Sequence, residues 1–176
     1  MALLAPLFLL IACNSPTPAE IPEASFACDS DGNLTVELYG GIQDTIHWQD
    51  EELDCAGMPR PNSEGARLRL SGPLGTKTIA FILGVPDLRK GATGKELPTN
   101  VTLIEEGAGR FFATPDLRSC WMDVDRHEPL GDETVSTYLI SGTVYCISPL
   151  AELNGASSIS FTELKFTSRL DWEHPK

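Results

Sequence analysis

The chain has 176 residues, 41% hydrophobic and 22% charged, with 25 acidic against 13 basic side chains and a formal charge of −12. A chain of this length can bury a sizeable core as one domain. Its acidity excludes the electrostatics on which phosphate-backbone binding depends, so no nucleic-acid partner is expected. The charge is uneven: ten acidic residues and no Lys or Arg from Glu20 to Asp54 give −10, residues 60–118 carry +3 and residues 119–176 carry −5.

Residues Ala2 to Ala12 are eleven positions without a charge or a strongly polar group. A bilayer-spanning helix needs roughly 17 to 25 apolar residues, so this run is too short to span. Its length suits the hydrophobic region of a signal peptide. It ends in Leu10-Ile11-Ala12-Cys13, and the composition then changes to Asn14-Ser15-Pro16-Thr17-Pro18. This stretch resembles the lipobox of bacterial lipoproteins, although its leading segment carries no Lys or Arg. The resemblance implies cleavage before Cys13, acyl chains on the Cys13 sulfur, and a membrane reached through that lipid. Two or more acyl chains anchor stably where a single one holds only marginally. Asn rather than Asp at position 14 implies the default route to the outer membrane, with the domain facing the periplasm. The expected organisation is a signal peptide over 1–12, a lipidated Cys with a Pro-rich tether over 13–24, and a single β-domain over 25–176. Fully extended, such a tether reaches on the order of 30 Å.

Four further cysteines, Cys28, Cys55, Cys120 and Cys146, make an even count, which in an exported chain reads as two disulfides. Three connectivities are possible. Cys28–Cys55 and Cys120–Cys146 span similar intervals of 27 and 26 residues and would each staple neighbouring strands. A four-thiolate zinc site has no C-x2-C or C-x4-C pair to support it.

Along the chain, Leu34-Thr35-Val36-Glu37-Leu38-Tyr39 alternates as a half-buried strand does, and Thr45 to Trp48 is its return partner after Gly40-Gly41. Residues 49–54 read as an acidic connection and 59–63 as a loop. Ala66 to Leu70 alternates with Arg67 and Arg69 on the wet face. Thr78 to Val85 is apolar enough for a central strand covered on both faces. Residues 86–98 read as a polar connection. Val101 to Ile104 and Gly109 to Ala113 form a hairpin around Glu105-Glu106-Gly107. Residues 119–124 are a strand and 125–133 a loop. Thr137 to Cys146 is the longest strand, with Gly142 marking a bulge or a close approach. Pro149 to Asn154 is a short helical possibility. Ile159 and Phe161 share one phase, Leu164 and Phe166 the other, so a β-bulge is expected at Thr162-Glu163. The fold class is all-β: an antiparallel sandwich or flattened barrel of about eight to ten strands, stapled by two disulfides.

No motif carries catalysis. There is no G-x-S-x-G elbow, and Gly91 to Glu96 and Gly72 to Thr78 only imitate phosphate loops. Oxygen ligands over Asp123, Asp125 and Glu128 fail the calcium-loop spacing, because positions six and twelve are Glu128 and Thr134. His47, His127 and His174 show no ligand spacing, so neither a metal nor another cofactor is expected. What remains is a lipid-anchored envelope lipoprotein of non-catalytic binding or structural type, engaging an envelope protein partner. Its acidic segment, with Glu51 and Glu52, suits a basic docking face. The alternatives are a glycan-binding module, using a wet-face tryptophan among Trp48, Trp121 and Trp172, and an envelope hydrolase built from His127 with Asp123 or Asp125.

Overall fold

The computed structural model describes residues 28, 31–61, 64–132 and 136–173. Cys13, the tether and His174 lie outside the described residues. Alternating sequences become strands as expected. β1 (Asn33–Gly40) and β2 (Asp44–Gln49) form a hairpin, followed by one 3-10 turn over Asp50–Glu52 and by β3 (Asp54–Pro59). β4 (Ala66–Leu74), β5 (Lys77–Val85), β7 (Asn100–Glu106) and β8 (Arg110–Ala113) form successive antiparallel pairs. β6 (Gly94–Pro98) lies on the edge of β9 (Cys120–Pro129). β10 (Thr137–Cys146), β11 (Leu150–Glu152) and β12 (Ser158–Asp171) complete the chain.

The twelve strands form one sheet, in the order β3-β4-β5-β7-β8-β11-β12-β10-β9-β6, with β1 and then β2 added on β12. Every pair is antiparallel, and the sheet folds over a single core in the manner of a sandwich. β12 holds it together: β1 pairs residues 159–167 along one side, and on the other side β11 pairs 158–159 and β10 pairs 164–171. β3, from the opposite end, lies against the Arg169–Leu170 backbone at Gly57, where a Cβ would collide with the Arg169 carbonyl.

The period-2 pattern sets the core. Leu34, Val36 and Leu38 are buried while Thr35, Glu37 and Tyr39 are exposed. Phe81 and Phe112 are the largest fully buried side chains; each such burial contributes about 1.5–3 kcal/mol. The bulge at Thr162-Glu163 is present: Val36 pairs Leu164 and Leu38 pairs Phe161, so Glu37 faces two residues of β12. The disulfides are Cys28–Cys55 and Cys120–Cys146.

Four local readings change. β3 forms between the acidic stretch and the loop, β6 is a strand where a connection was expected, and with β11 they take the count among the described residues to twelve. Residues 150–152 are β11, not a helical turn, because they pair β12 and β8 at once. β9 runs on through Pro129 instead of giving way to a loop at Asp125.

Candidate functional site

The acidic segment is organised by the β1–β2 hairpin. Asp31, Glu37, Asp44, Glu51, Glu52 and Asp54 are all exposed, and no Lys or Arg occurs between Cys28 and Pro59. Glu51 and Glu52 stand on the 3-10 turn that leaves β2. A shallow cleft of about 290 Å³, lined by Glu37, Leu38, Tyr39, Gln43, Asp44 and Thr45, opens at the start of β2. Glu37 holds the Tyr39 phenol above its ordinary range, by hydrogen bonding and by charge.

Trp48 does not join this surface. It shares the inward phase of β2 with Ile46 and is buried. Its indole N–H donates to the Pro73 carbonyl at 2.8 Å, its ring meets Phe81 edge-on at 6.2 Å, and Gly72 leaves room for it. It has no wet face on which a sugar could stack.

Asp123, Asp125 and His127 are adjacent in sequence but divided in space. Along β9, Cys120, Met122 and Val124 point inward and Asp123 points out. Ser141 pairs Arg126 while Gly142 pairs Val124, so Asp125 is an extra, bulged residue. The bulge shifts the phase and brings His127 inward instead of Arg126. On the outer face, Lys95 Nζ sits 2.6 Å from Asp125 Oδ1 and 3.3 Å from Asp123 Oδ2. Asp123 Oδ1 also accepts the Glu96 backbone N–H at 2.8 Å. These bonds hold Glu96 at a φ of 53°, a left-handed conformation that non-glycine residues adopt only when their surroundings impose it. The two carboxylates raise the Lys95 pKa, Asp125 more than Asp123.

His127 is buried on the other side. Its Nδ1 lies 2.9 Å from the Ala92 carbonyl, and Trp172 Nε1 lies 3.1 Å from its Nε2. A carbonyl only accepts and an indole N–H only donates. The ring is therefore neutral, with its proton on Nδ1 and its Nε2 lone pair occupied. The Trp172 ring stacks on it at 5.7 Å and Tyr138 meets it edge-on at 5.2 Å, with Lys90 5.3 Å from the Tyr138 ring centre. Burial lowers the His127 pKa below 6.5, and the bond to Ala92 opposes this in part. With neither ring nitrogen free and both aspartates on the opposite face, the hydrolytic pairing of His127 with Asp123 or Asp125 is not assembled.

The aromatic pair that does reach solvent is Trp121 and Tyr145. They are cross-strand neighbours on β9 and β10, half-buried, stacked at 6.1 Å with an interplanar angle of 25°. Pro98 of β6 continues their row. Burial, then the charges of Asp123 and Glu96, push the Tyr145 phenol up.

The sequence reading missed an ion cluster built on a buried carboxylate. Glu105 shares the inward phase of β7 with Val101 and Leu103 and is almost fully buried. Lys77 pairs with one of its oxygens, and Arg110 Nη1 lies 3.0 Å from the other. Arg110 Nε reaches Glu152 Oε1 at 2.7 Å, and Glu152 also accepts the Ser157 N–H. Hydrogen bonding from Lys77 lowers the Glu105 pKa; burial opposes this and Arg110 adds to it. Glu152 is lowered chiefly by its bond from Arg110. The strand phase was the available signal, set aside because Glu105-Glu106-Gly107 also reads as a turn. The four charges cancel in pairs.

Among the described residues, no group of three or more His, Cys, Asp or Glu side chains is placed to hold a metal ion. Comparison of the chain with protein-family models, with curated proteins and with solved structures finds no match.

Proposed function

We propose that this protein is a lipid-anchored envelope lipoprotein of non-catalytic type, held through Cys13 at the outer membrane and facing the periplasm, whose β-domain engages an envelope protein partner. The observation that carries the binding reading is the exposed carboxylate set on and beside the β1–β2 hairpin, with no Lys or Arg between Cys28 and Pro59. Such a surface steers a basic partner face and sets its register. The two disulfides support an oxidising compartment, as the lipobox-like stretch does independently. The test is chemical cross-linking in intact cells, with mass spectrometry of the captured proteins and of the mature N-terminus. One dominant partner and an acylated Cys13 are expected. Reversing charge at Glu51 and Glu52 should weaken capture at low salt. An unprocessed Met1 would overturn the compartment, and absence of any protein partner would overturn the binding class.

A second reading, glycan binding, is favoured by the half-exposed Trp121–Tyr145 pair beside Asp123 and Lys95. Aromatic faces stack on sugar rings and the flanking polar groups can bond hydroxyls. If it holds, soluble cell-wall fragments quench Trp121 fluorescence and Trp121→Ala abolishes their binding. Unchanged binding in that variant would remove it.

A further inference from the structure

Three strands have a single ladder partner among the described residues: β3 on β4, β6 on β9 and β2 on β1. An unpaired strand edge presents a row of main-chain donors and acceptors, and proteins blunt such edges with bulges, Pro, Lys or cover. β6 is blunted in three ways. Its register breaks between Gly94 and Leu97, Lys95 projects from it and it ends in Pro98. β3 is covered, because Gly57 lies against β12, and it too ends in proline. Among the described residues, β2 has none of these devices. Its register with β1 runs unbroken from Asp44 to Gln49, and it contains no Pro, Gly, Lys or Arg. Buried Ile46 and Trp48 fix it to the core, while Thr45, His47 and Gln49 are exposed.

We infer that β2 is a docking edge, and that it takes an extended basic segment of the partner protein as an added strand. Main-chain bonds along the edge supply affinity, as in other strand-addition complexes. Charge selects the occupant. Asp44 stands at one end of the edge, Glu51, Glu52 and Asp54 at the other, and Glu37 on the neighbouring strand. A Lys- or Arg-rich strand meets this surface favourably. A second copy of this chain, carrying −12, brings the same carboxylates against their own kind. The inference rests on the protein-partner reading and names its mode.

The test uses the full-length protein and a heptapeptide alternating lysine and valine, with its glutamate counterpart as control. Amide hydrogen exchange and peptide affinity are both measured. The lysine peptide is expected to bind and to slow exchange within residues 44–49, and the glutamate peptide is not. Glu51→Lys with Glu52→Lys should weaken binding about tenfold. His47→Pro, checked for an unchanged circular dichroism spectrum, should abolish it. Should that variant fail to fold, the exchange pattern of the native protein decides. Binding that responds to Glu51 and Glu52 without protection in 44–49 would overturn strand addition and leave charge docking standing. Concentration-dependent dimerisation that protects 44–49 would overturn the basic occupant. No peptide binding, while cells still yield a cross-linked partner, would overturn the edge alone. A failure of the partner reading shows separately, as cross-linking that captures nothing.

Discussion

At the scale of single residues, His127 gives the sharpest prediction. Its neutral ring is wedged between an acceptor, Ala92 O, and a donor, Trp172 Nε1–H. Protonation would set two N–H groups against each other at Nε2, in a site where the cation Lys90 already sits over the Tyr138 ring that meets His127. The folded-state pKa lies below the ordinary 6.5, so the unfolded chain takes up the proton first. Stability from this contact is complete above about pH 6.5 and falls as pH drops towards the lowered value. Urea unfolding between pH 8 and pH 5 should show that fall, and His127→Phe should flatten it. The same variant should cost about 1–3 kcal/mol at pH 8, because the Trp172 N–H and the Ala92 carbonyl lose their partner. The ion cluster has the same sign at lower pH. Glu105 is depressed below 4.5, so its contribution is kept above that pH and lost as the carboxylate protonates. Arg110→Ala leaves buried Glu105 with Lys77 alone and takes the cation from Glu152 as well. It should lower the urea midpoint more than Lys77→Ala does. Trp48 shows that burial can be read from phase, since it alternates with Ile46. The burial of His127 could not be, because unbroken alternation from Cys120 would have turned Arg126 inward; only the extra residue Asp125 corrects the count.

At the scale of elements, strands with their own pattern were legible and strands made by their neighbours were not. β1, β4 and β12 alternate, and the phase slip at Thr162-Glu163 announced the bulge before any pairing was known. β3 reads Asp-Cys-Ala-Gly-Met-Pro, with no β-branched residue. It is extended because β4 pairs it and Cys55 ties it to Cys28. Its Gly57 weakens the local propensity yet is required, because only a missing Cβ lets β3 lie on the β12 backbone. β6 is polar and broken at Glu96, and it follows β9 because Asp123 holds the break in place. β11 carries helix-forming Ala151 and Glu152, but two ladders outweigh propensity in three residues. Gly142 tests this account. A Cβ there would run into the Asp123 carbonyl, which is backbone and cannot rotate away. Gly142→Ala should therefore cost about 1–3 kcal/mol in chemical denaturation. Gly75→Ala is a useful contrast: it meets no atoms within 4 Å and bears only the strain of its positive φ.

At the scale of the whole molecule, the all-β class and the pairing of the cysteines followed from turn spacing and from two similar intervals, while the continuity of one sheet around β12 did not, because nothing local encodes which distant strands share an edge. The disulfides link this scale to the compartment. Their loops of 27 and 26 residues should each constrain the unfolded chain by about 3.5 kcal/mol in the chain-entropy picture. Together that rivals the whole margin of a typical domain, about 5–15 kcal/mol. Their local roles differ. Cys120 and Cys146 are register partners in the β9–β10 ladder, which holds them together without the bond. Cys28 precedes β1 and is otherwise tied back by its N–H to the Leu53 carbonyl at 3.2 Å. Replacing Cys28 and Cys55 with serine should therefore speed amide exchange at Cys28 and across β3 under native conditions. Replacing Cys120 and Cys146 should lower the urea midpoint by a similar amount with little local change in β9. Reductant should produce both losses at once. A midpoint indifferent to reductant would mean that the fold does not need an oxidising compartment, and it would take away the structural support for export.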